Sequence, residues 1–288
     1  MTKLISIAIV SAAASFGAAI QEAHATASPG SFPFYYQTIA PTTGSAVAGP
    51  ILGNAGGSFA SASPGVLRAR AGATFTSTSG SSYANSSAQT SGTVTFTCTG
   101  LCGSAVSVAL NLNVTGSLSA NGRNDVNSQA TASGYSRVNL DVTFNGVADS
   151  GQMTLNAPGS ILPQNPLGPF SSPAVQTSTQ TGMFSSYNSA NPVATSATIL
   201  VPLNTPIPLI IRLSTAASSS QWGNASADFS HTVTFPYSAV FNLPAGYSAY
   251  STDFNIVDNL IPAPEPGTTA LIGAGLIALA WRRRQRTV

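Results

Sequence analysis

The chain has 288 residues, of which 6% are charged and 43% hydrophobic, and its formal net charge is +2. Soluble domains carry about 25% charged residues. The composition therefore excludes a nucleic-acid binder, which needs a basic patch to release phosphate counterions, and a charge-driven disordered tail. It also does not suit a cytosolic enzyme, whose surface relies on many Lys and Glu for solubility.

The basic residues are gathered at the ends. Lys3 stands at one end and Arg282, Arg283, Arg284 and Arg286 at the other. Between Thr26 and Ala263 there are five Arg, no Lys, six Asp and no Glu. That middle is near neutral and must stay soluble through hydroxyls and amides. A chain so poor in Lys, Glu and Arg is also poor in strong helix formers, which favours β structure.

In chain order, residues 1–25 read as a secretory signal peptide. Lys3 is the positive n-region and Leu4 to Ile20 an uncharged apolar run, and Ala23-His24-Ala25 gives an A-x-A cleavage site with Ala23 and Ala25 as its small residues. A signal helix is expected there. Residues 26–261 fit one all-β domain. Its first part, 26–65, is aromatic and then rich in Gly, Ala and Ser, and is expected to be an edge strand or irregular.

Further along, apolar residues alternate with polar ones, the period of a half-buried strand. Val106, Val108, Leu110, Leu112 and Val114 share one face, as do Val138, Leu140, Val142 and Phe144. Asn145-Gly146 reads as a hairpin turn before Met153 and Leu155. The run 158–173 is expected to be a long loop. Later candidate strands are 193–201, 207–213, 227–235, 239–243 and 254–257. Pro206 and Pro208 demote the start of the 207–213 strand to an edge or bulge. About nine or ten short strands of this kind predict an antiparallel, jelly-roll-like β-sandwich.

Cys98 and Cys102 enclose Thr99-Gly100-Leu101. A hairpin joining 92–98 to 102–115 would set Cys98 opposite Cys102 and Val94 opposite Val106, so a disulfide is expected in an oxidising compartment. A C-x-x-C redox motif is absent, and a zinc site would need more ligands.

His231 shares parity with Phe229, Val233 and Phe235 and reads as a packed histidine. Asp228, three residues away, would point to the other face and could not orient it. Asp125, Asp141, Asp149, Asp228, Asp253 and Asp258 are scattered, without a glycosidase pair. Asn124-Asp125-Val126-Asn127 is only a fragment of a calcium loop. No catalytic, cofactor or metal residue is therefore assigned, and the chain is read as a non-enzyme. Thr93, Thr95, Thr97 and Thr99 form a hydroxyl ladder, read as a solvated strand face. Trp222, Tyr237, Tyr247 and Tyr250 could stack on sugars, and read more simply as scattered core and rim aromatics.

The C-terminus, 262–288, has three consecutive parts. Pro262-Ala263-Pro264-Glu265-Pro266 is stiff and extended. Thr268 to Trp281 is apolar and rich in small residues, and Arg282-Arg283-Arg284-Gln285-Arg286 is a basic block. The order matches a stop-transfer helix with its arginines held cytoplasmic. About 14 residues give roughly 21 Å against a hydrocarbon core of about 30 Å, a length suited to a transient membrane hold.

Pro264-Glu265-Pro266, a short hydrophobic helix and a terminal Arg cluster resemble the PEP-CTERM sorting signal of exported bacterial proteins. The resemblance implies an exosortase-type enzyme that cuts near Pro264, Glu265 and Pro266, and a precursor held transiently in the inner membrane. It also implies release to the cell surface or beyond, with extracellular polysaccharide or biofilm as the surroundings. The run from Val201-Pro202-Leu203-Asn204 to Leu243-Pro244-Ala245-Gly246-Tyr247 is similar, more loosely, to β domains carried by such proteins, and no activity attaches to that likeness. The functional expectation is an exported surface or matrix protein. A carbohydrate-binding module is the alternative, with a secreted hydrolase behind it.

Overall fold

The computed structural model describes residues 20–28, 35–43, 46–53, 56–74, 81–121, 133–157, 177–185, 192–220 and 224–262. Among these residues every regular element is a β-strand. In chain order the strands are β1 (Ile20–Ser28), β2 (Tyr35–Thr43), β3 (Ala46–Gly53), β4 (Gly56–Ser63), β5 (Val66–Thr74), β6 (Ser81–Cys98), β7 (Ala105–Asn121) and β8 (Ser133–Phe144). They continue as β9 (Val147–Ala157), β10 (Thr177–Gly182), β11 (Val193–Thr195), β12 (Ile199–Pro202), β13 (Pro206–Ser220), β14 (Asn224–Thr234), β15 (Phe241–Asn242) and β16 (Tyr247–Tyr250).

The strands form two antiparallel sheets. One runs β10-β9-β8-β13-β6-β1-β2, with β16 added beside β6. The other runs β11-β7-β14-β5-β4-β3, with β12 and β15 added beside β7. Alternation decides which side faces in. Val138, Leu140, Val142 and Phe144 of β8 are buried, as are Ile207, Leu209, Ile211 and Leu213 of β13 and Val106, Val108, Leu110, Leu112 and Val114 of β7. These inner faces make one continuous core between the sheets.

The core is graded along the strands. At one pole Phe96 and Phe144 of the first sheet lock against Phe241 of the second, with centroids 5.0–5.7 Å apart. At the other pole the filling shrinks to Ala71, Ala73, Ala84, Ala217 and Ala225. There Ser86 Oγ donates across the gap to the Arg70 carbonyl at 2.9 Å. The backbones thus approach to within about 5 Å locally, well inside the ~10 Å spacing of ordinary packed sheets.

Several expectations need correction. The described strands are more numerous than nine or ten, and three are long: β6, β7 and β13 have 18, 17 and 15 residues. Residues 26–65 contribute the end of β1 and all of β2, β3 and β4. Their Ala/Ser alternation carries little hydrophobic contrast, so its period of two is hard to hear. The 193–201 strand is split into β11 and β12, because Ser196 turns inward. Its amide donates to the Leu110 carbonyl, and its hydroxyl oxygen accepts from the Leu110 amide, each at 2.9 Å.

Residues 254–257 form no strand. They belong to two tight turns marked by bridges Ser251↔Ile256 and Val257↔Leu260. β13 is central, between β6 and β8, yet at Pro206 and Pro208 it pairs only with β6 and meets β8 from Leu209 onward. The prolines therefore sit where one side is unladdered, as their missing N–H requires. The turn at Asn145 and Gly146, with φ of 51° and 75°, has two left-handed residues, as a two-residue hairpin demands. Of the expected signal segment, Ile20–Ala25 is strand. Residues 1–19, the expected C-terminal helix and the 158–173 loop lie outside the described residues.

Candidate functional site

Pro264, Glu265, Pro266 and the arginines Arg282, Arg283, Arg284 and Arg286 lie outside the described residues. The ground they leave from is described. Residues 247–260 fold back over the aromatic pole as a clasp. β16 pairs with the end of β6, Tyr247 opposite Cys98 and Tyr250 opposite Thr95. The Asp253 carboxylate accepts from the Thr93 amide at 2.7 Å and its hydroxyl at 2.9 Å. Ser251 Oγ donates to the Thr93 carbonyl at 2.6 Å.

Asn259 closes the clasp on the other sheet. Its Oδ1 accepts from the Phe241 amide at 2.9 Å, and its Nδ2 donates to the Phe241 carbonyl at 2.8 Å. Asn255, Asp258 and Asn259 all have φ between 53° and 64°, the left-handed conformation that Asn and Asp tolerate best. Leu260 is the last bridged residue. Only 261–263 separate it from Pro264, so the motif begins within about 14 Å of a fixed point of the fold.

Ala23 and Ala25, the expected cleavage residues, lie inside β1. That strand is flanked on both sides. Ala23 faces Ala88 of β6 and Ile39 of β2, and Ala25 faces Ser86 and Gln37. Ala23 is fully buried and belongs to the core.

Cys98 and Cys102 are joined as a disulfide with Cα atoms 6.5 Å apart. The hairpin expected around them does not form. β6 and β7 belong to different sheets, so Val94 and Val106 contribute to the core from opposite walls. Val94 and Phe96 of β6 and Val106 to Val114 of β7 each bury their apolar side against the other sheet. The disulfide thus staples an arch that crosses from one sheet to the other.

His231 falls within a bulge of β14. Against β5 the register jumps from Phe229↔Ala69 to Val233↔Leu67, and a matching jump occurs against β7. His231 lies between the two registers, and its side chain lies outside the described residues. Asp228 serves the bulge, accepting from the Ser230 amide at 3.0 Å and from its hydroxyl at 2.5 Å. Its other oxygen meets Arg70 Nε at 3.4 Å.

The other described aspartates also have structural partners. Asp149 accepts from the Ala197 amide at 2.7 Å, tying β9 to the β11–β12 connection. Asp258 accepts from Ser248 Oγ at 2.5 Å. Asp141 lies opposite Arg212 across β8 and β13. Burial raises its pKa above the usual carboxylate value, and the Arg212 guanidinium only partly counters this. Asp125 and the calcium-loop fragment are outside the described residues. Among those described, no group of three His, Cys, Asp or Glu comes together to hold a metal. A cleft of about 480 Å³ lies beside Phe241, Leu243 and Pro244 with Asn242 and Asn259 on its wall, and its lining has no titratable side chain.

The aromatic candidates are not brought to one platform. Trp222 is outside the described residues, and Tyr237 is exposed in a connection. Tyr247 packs against the core. Tyr250, three residues on along the same strand, is exposed, with its hydroxyl 3.5 Å from Asp258. The threonine ladder is partly claimed, since Thr93 is held by Asp253 and Thr95 and Thr97 lie against β16.

A different aromatic pair was missed in the sequence. Tyr83 on β6 and Tyr135 on β8 flank Ser218 of β13 in one row across the first sheet. Their neighbours Ala84, Ser136 and Ala217 are buried, so the row lies on the outer face. The signal was the parity of 82–90, where Ala and Ser alternate inward, but such small residues hardly register as an apolar face.

No curated protein and no solved structure matches the chain. Residues 262–284 match the PEP-CTERM protein-sorting motif. The chain therefore carries a PEP-CTERM sorting signal directly after its clasped β-sandwich, and that signal implies an exported, exosortase-processed protein of the cell envelope or extracellular space.

Proposed function

We propose that the chain is a non-enzymatic structural or interaction protein of the extracellular matrix. The carrying observation is the sorting motif at 262–284, set within a few residues of a clasped β fold. Thr268 to Trp281 holds the precursor in the inner membrane, the four arginines stop it on the cytoplasmic side, and exosortase cuts near Pro264-Glu265-Pro266. The non-enzymatic part is supported by the employment of Asp149, Asp228, Asp253 and Asp258 as structural acceptors. A near-neutral, hydroxyl-rich surface suits a hydrated polysaccharide setting. Replacing Pro264, Glu265 and Pro266 with alanine should leave unprocessed precursor in the membrane fraction, seen by immunoblot. Normal cutting and export of that variant overturns the reading.

A second reading, a carbohydrate-binding module, is favoured by the Tyr83–Ser218–Tyr135 row. Two strand spacings put the tyrosines about 9.6 Å apart across a small residue, and Tyr83 is 40% exposed. Rings so placed can stack on alternate sugars of a neutral chain. Retention of the domain on immobilised polysaccharide should fall in Tyr83→Ala and Tyr135→Ala. Unchanged retention counts against binding at this row.

A further inference from the structure

We propose that signal peptidase cuts this chain between Ala19 and Ile20, so that Ile20 is the first residue of the mature protein. The inference rests on the export reading and deepens it by assigning the processing site.

Of the several sites with small residues at the first and third positions before the cut, two are weighed against the fold. One is Ala23-His24-Ala25. The other is Gly17-Ala18-Ala19. Sequence spacing accommodates the second. Leu4 to Phe16 is then the apolar h-region, and its 13 residues fall within the usual span of about 7–15. A cut after Ala25 takes the apolar run through to Ile20 and leaves the acidic Glu22 in the leader.

The fold separates the two. β1 has nine residues, Ile20–Ser28. A cut after Ala25 removes six of them, Ile20 to Ala25. Its partnership with β2 runs from Ile20↔Thr43 to Ala27↔Tyr35, and only the Thr26 and Ala27 pairs would survive. β2 joins its sheet through β1, so it would lose most of its attachment. On the other side, β6 would lose its partners along Ser86 to Ser91.

Inside, the fully buried Ala23 would leave the core wall beside Ala88. The cut would leave the backbone of Ser86 to Ser91 as an open sheet edge, which folded proteins cover or blunt. A cut after Ala19 leaves the whole strand, starting at its first residue. Water adds across the Ala19–Ile20 amide; Ala19 departs with the new carboxylate and Ile20 keeps the new α-amino group.

The test is the N-terminal sequence and intact mass of the form recovered from the culture medium or cell surface. Ile20 as the first residue supports the proposal. Thr26 as the first residue overturns it and leaves export standing. A chain that stays cytoplasmic with Met1 intact overturns the export reading and the proposal together. Pulse-chase of the precursor adds an arm that does not depend on folding. Ala19→Leu should abolish the Ile20 terminus, while Ala25→Leu should be processed at the wild-type rate. Loss of processing in Ala25→Leu overturns the proposal.

Discussion

Gly116 sits in β7 opposite the two-residue excess of the β14 bulge, between Thr115, which faces Thr232, and Ser117, which faces Asp228. A Cβ there would overlap the ring of Phe229, a fully buried core residue. The glycine therefore makes room for a phenylalanine that a bulge has re-aimed. Gly116→Ala should destabilise the domain by about 1–3 kcal/mol through overpacking, read as a lower urea midpoint; an unchanged midpoint would refute this. Asp141 illustrates the opposite sign of a familiar effect. Its folded pKa is raised by burial despite Arg212, so the folded state holds the proton more tightly than the unfolded state. Stability is then greater below the ordinary carboxylate range and declines as pH rises through and above it. Asp141→Asn should flatten that part of the stability–pH curve, and an identical slope in the variant would disprove the assignment. Neither effect was legible in the sequence. Gly116 looked like any strand glycine, and Asp141 like a solvent-facing alternation partner, because burial depends on neighbouring strands that the local pattern does not name.

At the scale of elements, the arch and the clasp do most to fix the aromatic pole. The Cys98–Cys102 disulfide closes a very short loop, and for five residues the chain-entropy estimate is about 2 kcal/mol. Cys98→Ser with Cys102→Ser should therefore lower stability by no more than that and leave the sheet order intact, measured by denaturant titration and circular dichroism. Collapse of the fold would show that the staple does more than pin an arch. The clasp depends on Asp253 and Asn259. Asp253→Ala removes the acceptor of two Thr93 hydrogen bonds, each worth about 1 kcal/mol net. Faster amide exchange at Thr93 and across 247–260, with β13 protected as before, is the expected result. Unchanged exchange in the clasp would mean the aspartate is dispensable. Alternation found β7, β8 and β13 in the sequence because their inner residues are Val, Leu, Ile and Phe. It missed β4, β5 and the first half of β6, whose buried residues, Leu67 apart, are Ala, Ser and Thr. The clasp was misread as strand at 254–257, since Phe254 and Ile256 are buried with the parity of a strand while the backbone turns through Asn255.

Over the whole molecule the grading of the core from phenylalanine to alanine makes the two poles unlike. The aromatic pole carries the arch and the clasp and delivers the chain to its sorting motif. The small-residue pole lets the sheets approach closely, with Ser86 bridging them. The sorting motif at 262–284 therefore begins only a few residues after the last bridged residue of the fold, Leu260. The sequence by itself determined the β class, the alternating core strands, the Asn145-Gly146 turn and the sorting signal at the C-terminus. Each is written in contiguous residues, as a period, a dipeptide or a motif. The tertiary structure decided which strands are neighbours, that Cys98 and Cys102 bridge two sheets instead of one hairpin, and that Tyr83 and Tyr135 share a row. It also decided that the residues around Ala23 are built into a sheet. These depend on pairings between segments far apart in the chain, and a strand's own sequence says which face is apolar but not which strand will lie beside it.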